Sequence, residues 1–99
     1  MIIRVFKAKI PEVLHEEFEA KFKEISAPAV KQFDGLISLE IGRPTHWNPE
    51  EFIMISRWIS EKDIIAFAGD DWNQAYIPEG MEKFVADVSL SHYEEISLK

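Results

Sequence analysis

The chain has 99 residues, 46% of them hydrophobic, with 18 acidic and 11 basic side chains giving a formal charge of −7. That length fits one globular domain with a modest core, and the hydrophobic fraction is too high for a disordered segment. The acidic balance argues against DNA or RNA, which are held through neutralised phosphates. The absence of cysteine removes disulfides, thiolate metal sites and thiol chemistry together. The chain opens on strand-like alternation rather than a leader, and no apolar run approaches the roughly 20 residues that span a bilayer, so a cytoplasmic protein is expected.

Residues 2–10 alternate, with Ile2, Arg4, Phe6 and Ala8 on one side and Ile3, Val5, Lys7 and Lys9 on the other, the pattern of a strand. Pro11 and Glu12 suit the first turn of a helix, and Leu14, Phe18, Phe22 and Ile25 then recur on one stripe. Glu17 with Lys21 and Glu19 with Lys23 are spaced to pair on its wet side. Pro28 is expected to bend or interrupt this helix near Ser26, and Asp34–Gly35 closes the connection. A second strand is expected from Leu36 to Ile41, a loop over residues 42–49, and a third strand from Phe52 to Ile59. Ser60 and Asp63 mark the start of a second helix with Ile64, Ile65, Phe67 and Ala68 inside, and Gly69 ends it. A short helical turn over residues 71–77 stops at Pro78, and the last strand is strongest from Val88 to Ile96.

The order β-α-β-β-α-β predicts one α+β domain over residues 1–99 with the ferredoxin-like arrangement, a four-stranded antiparallel sheet with both helices on one face. The third strand is apolar on both faces, with Phe52, Met54 and Trp58 one way and Ile53, Ile55 and Ile59 the other. Since helices cover only one face, the other is expected to pack against a second copy of the chain.

Sequence signatures of chemistry are few. The four glycines stand alone, so no phosphate loop exists, and no nucleophile elbow is present. His15 and Glu19 share a helical face among solvated charges and are read as structural, so no metal site is expected. Aromatics gather around the second helix as Trp58, Phe67, Trp72 and Tyr76, a lining suited to a flat aromatic ligand. Asn73, Gln74, Tyr76, Arg57 and His92 are the polar candidates to orient it, and core packing is the plainer reading for Trp58 and Phe67. His92, on an otherwise apolar strand, is either a satisfied core residue or a group poised to take a proton near neutral pH. His46 and Trp47 are expected to contact a partner subunit or to move.

The stretches Phe33-Asp34-Gly35-Leu36, Glu40-Ile41-Gly42-Arg43, Arg57-Trp58-Ile59-Ser60-Glu61-Lys62, Phe67-Ala68-Gly69 and Ser91-His92-Tyr93-Glu94 resemble the antibiotic biosynthesis monooxygenase family of dimeric α+β barrels. The resemblance covers nearly the whole chain. It implies a homodimer with facing sheets and oxygenation by O2, without cofactor or metal, of an electron-rich phenol, quinol or anthrone. His92 or Tyr76 would handle the proton, and Trp58, Phe67, Trp72, Asn73 and Arg57 would hold the substrate. A non-catalytic binding or regulatory barrel is the alternative, followed by a small isomerase or lyase. Some relatives degrade haem with a histidine on the second helix, an asparagine on the first strand and a tryptophan. Here those positions fall near Ile77 and at Phe67, and the first strand has no asparagine, so haem chemistry fits poorly.

Overall fold

A computed structural model describes residues 1–70, 72, 80–84 and 87–98, with Glu82 described by its backbone alone. The strands are β1 (Ile2–Lys9), β2 (Leu36–Gly42), β3 (Glu51–Trp58) and β4 (Val88–Glu94). They form one antiparallel sheet in the order β2-β3-β1-β4, and the helices lie against one face. This is the ferredoxin-like fold expected from the element order. The short helical turn expected over residues 71–77 lies outside the described residues, apart from Trp72.

After a 3₁₀ turn at Glu12–Leu14, the first helical segment runs as α1 (His15–Lys21), a π turn (Phe22–Ser26) and α2 (Ala27–Lys31). The π turn is the interruption expected near Ser26, and the helix continues through Pro28. Its ring would collide with the carbonyl four residues back, and the wider turn, in which the Ala27 N–H reaches the Phe22 carbonyl, makes room for it. The stripe lands as expected, with Phe18 and Phe22 buried and packed with Phe52 and Phe84 at centroid distances of 4.6–6.1 Å. The acidic residues of this helix turn to tertiary partners instead of the expected i+4 lysines. Glu19 meets Arg43 at 3.0 Å and Glu17 meets Lys83. His15 is half-buried, its Nε2 2.6 Å from the Ile10 carbonyl and its ring edge-on to Phe52.

A bulge in β2 corrects an unfavourable alternation. Leu36 faces Trp58, yet Ser38 faces Arg57, so Ile37 is the extra residue. Beyond it, Leu39 and Ile41 stand opposite Ser56 and Met54 on the helix side, and Ser38 and Glu40 turn to the open face. Without the bulge, Leu36 and Leu39 would point to opposite faces.

The second helix, α3 (Glu61–Ala68), starts at Ser60, whose hydroxyl donates to Asp63 Oδ2 at 2.8 Å rather than accepting from a backbone N–H. Gly69 stops it at φ +83°, a conformation that side chains resist. Ile64 and Phe67 are buried beneath it. No helix among the described residues is long and apolar enough to cross a membrane.

Candidate functional site

Strand register arranges the helix-side face of the sheet in cross-strand rows. One row runs Glu94–Ile2–Trp58–Leu36, the next His92–Arg4–Ser56–Leu39, and a third Leu90–Phe6–Met54–Ile41. The middle row is the polar one. Arg4 has its side chain driven under the helices by the parity of β1, and the residue is only 4% exposed. Its Nη1 donates to the Trp72 carbonyl at 2.5 Å and to His92 Nε2 at 2.9 Å, and its guanidinium lies 5.5 Å from the Phe67 ring centroid. Arginine has only donors, so the His92 Nε2 must accept and the ring proton sits on Nδ1. The Trp72 ring meets His92 edge-on at 4.6 Å.

Two spaces meet at this Arg4–His92 contact. An inner cavity of about 40 Å³ lies between sheet and helices, bounded by Arg4, Phe22, Ser26, Ser56 and Phe67. An open cleft of about 150 Å³ lies on the other side, bounded by Ile2, Ile64, Trp72, His92 and Tyr93, with Glu61 and Glu94 at its rim.

Of the residues expected to form the site, Phe67, Trp72 and His92 converge on Arg4. Trp58 is 0% exposed, stacked on Phe67 at 5.2 Å with its Nε1 donating to Ser56 Oγ at 2.9 Å, so it backs the site rather than lining it. Arg57 points to the opposite face of the sheet, where it pairs with Glu95 across β1. Parity separates Arg57 from the cleft, since it alternates with the buried Ser56 and Trp58. Asn73, Gln74 and Tyr76 lie outside the described residues. Sequence reasoning passed over Arg4, Ser26 and Ser56. The available signal was an arginine in register with Ile2, Phe6 and Ala8 on the apolar side of a strand, where a charge needs a specific reason.

Burial lowers the Arg4 guanidinium to about 10, which leaves it charged at neutral pH. The His92 imidazole is lowered first by burial and then by the Arg4 charge, so it is neutral at pH 7. The unfolded chain therefore binds the His92 proton more readily than the folded one. Stability is expected to fall as pH drops through about 6.5, the ordinary histidine value, and to level off below the folded value. Urea midpoints between pH 7 and 5 measure this, and the His92→Asn variant should lose that part of the slope.

Residues 1–79 match the family pattern described as Antibiotic biosynthesis monooxygenase. No curated protein matches the chain. Among solved structures, a mutant of the heme-degrader MhuD with two manganese protoporphyrin IX molecules bound per active site is 21% identical. It superposes at a TM-score of 0.76, with 98% of this chain and 96% of that one covered. MhuD from Mycobacterium tuberculosis with two hemes bound is 18% identical at a TM-score of 0.72, covering 98% and 97%. A candidate antibiotic biosynthesis monooxygenase from Deinococcus radiodurans is 13% identical at 0.76, covering 100% and 96%. At these identities the structures establish a shared fold, and the match over residues 1–79 establishes the lineage: the chain belongs to the antibiotic biosynthesis monooxygenase family.

Proposed function

We propose that this protein is a cofactor-independent monooxygenase that oxidises an electron-rich aromatic, a phenol, quinol or anthrone, and acts in the cytoplasm as a homodimer. The observation that carries this reading is the buried Arg4 guanidinium bonded to His92 at the wall of a cleft bordered by Trp72. With Nε2 engaged by Arg4, His92 offers Nδ1–H to a substrate oxygen, and the cation behind it strengthens that donor. A ring laid against Trp72 with its oxygen on His92 is thereby stabilised as the phenolate or enolate, and its proton passes to solvent or to Tyr76. The anion is electron-rich enough to reduce O2 by one electron. Recombination with superoxide and a proton forms a hydroperoxide at a carbon that bears hydrogen, and loss of water leaves a carbonyl there. An anthrone CH2 and O2 thus become C=O and H2O, and a phenol with an open ortho or para C–H and O2 become a quinone and H2O. The protein contributes charge stabilisation, ring packing and exclusion of water.

Oxygen uptake with anthrones and hydroquinones tests the reading. His92→Ala is expected to lower kcat about 10²-fold, the usual cost of removing one donor to a developing anion. Trp72→Ala should act mainly on KM. Aromatics that bind without oxygen uptake would transfer the support to a non-catalytic binding module.

Haem, which the MhuD structures hold, does not fit the described residues. The only histidine at the site has its Nε2 bonded to Arg4, and the inner cavity has about 40 Å³.

The homodimer rests on the open face of the sheet, where Ile3, Val5, Ile53 and Ile55 form a half-exposed apolar centre and Tyr93 is 57% exposed. A facing copy would bury it. Ile55→Lys puts a charge at that centre and should convert a dimer to a monomer in sedimentation velocity, with the far-UV spectrum kept. A wild-type chain that sediments as a monomer at high concentration removes this part of the reading.

A further inference from the structure

The outer cleft carries opposite charge at its two ends. At the inner end the Arg4 guanidinium stands behind His92. At the rim stand the carboxylates of Glu61, which opens α3, and Glu94, which closes β4, both exposed. Between the ends, the Trp72 ring and the Ile2 and Ile64 side chains supply the apolar and aromatic surface. No lysine or arginine is among the described residues that bound this cleft.

We propose that the substrate is an amine-bearing phenol, with its oxygen at His92 and its protonated amine between Glu61 and Glu94. The oxygen end of this inference rests on the monooxygenase reading, and the amine end does not. Each part of such a molecule meets a complementary surface. The ring packs on Trp72 and Ile64, and the ammonium gains from the two carboxylates. An acid of the same shape would place its carboxylate against Glu61 and Glu94, on a chain whose formal charge is already −7. Neutral phenols would leave both rim carboxylates to water, at no gain.

Calorimetric titration of the intact protein with tyramine, tyrosol and para-hydroxyphenylacetate tests this, because the three share a phenol ring and differ in the charge of the tail. Tyramine is expected to bind about tenfold more tightly than tyrosol, the combined effect of two surface ion pairs, and the acid more weakly than tyrosol. In the double variant Glu61→Gln, Glu94→Gln the tyramine preference should collapse towards one, and 0.5 M salt, roughly a 4 Å Debye length, should reduce it in the wild type. Both positions are exposed, so the variant keeps its core. Equal binding of tyramine and tyrosol, a preference that survives the double substitution, or no binding by any of the three overturns the proposal. Oxygen uptake in the same samples separates the two readings. Tyramine binding with the expected preference but without uptake removes the monooxygenase and leaves the amine site standing.

Discussion

Trp58→Ala is expected to lower the free energy of unfolding by about 3–5 kcal/mol, as large-to-small changes of buried aromatics do. That is a large part of the stability of a domain this size, for which about 5–10 kcal/mol is usual. Trp58 is fully buried, stacked on Phe67, and its Nε1 proton satisfies Ser56 Oγ. Removing the indole empties the space behind Phe67, which in turn carries the Arg4 guanidinium on its ring. Trp58→Phe keeps most of the stack, and its cost should be about half. Urea denaturation at pH 7 measures both, and a Trp58→Ala loss below about 1 kcal/mol would contradict the burial. Because the residue backs the site without lining it, Trp58→Phe should leave ligand affinity nearly unchanged.

Gly35→Ala is the second large effect. A Cβ at Gly35 would stand 2.2 Å from the Asp63 Cβ, well inside any real contact. The clashing atom is the first carbon of the Asp63 side chain, so rotation about χ1 offers no escape. Either the start of β2 or the first turn of α3 must move. Movement there would strain the Ile59 N–H bond to the Gly35 carbonyl, 3.0 Å, and the Ser60–Asp63 contact. A loss of about 2–4 kcal/mol is expected, in the range of overpacking and strained backbone together. The pair Gly35→Ala, Asp63→Gly removes the collision and should recover part of the loss, less about 1 kcal/mol for a glycine within a helix. A double-mutant cycle in urea reads this directly, and additive losses would show that the two residues are not in contact.

Several outcomes depended on contacts that sequence spacing does not encode. The charges of the first helix offered i+4 lysines, yet Glu19 and Glu17 reach Arg43 and Lys83, because the connection after β2 and the 3₁₀ turn at Glu82–Phe84 come within range only once the chain is folded. Pro28 announced a bend or interruption near Ser26, but not its form, a π turn after which the helix continues to Lys31. Arg57 stands next to Trp58 in sequence, yet neighbours on a strand face opposite ways, and only Trp58 turns to the site.

Local pattern was enough for the strands, both helices and their order, because the period of two in residues 2–10 and 52–59 and the stripe from Leu14 to Ile25 are properties of single segments. From that order, the layer arrangement followed. The Arg4–His92 pair was of another kind. Its members are 88 residues apart and meet only because β1 lies between β3 and β4 in register, with Arg4 opposite both Ser56 and His92. Register and bulges are settled by the packing of whole faces, as Ile37 shows in β2, and no window of sequence contains that information.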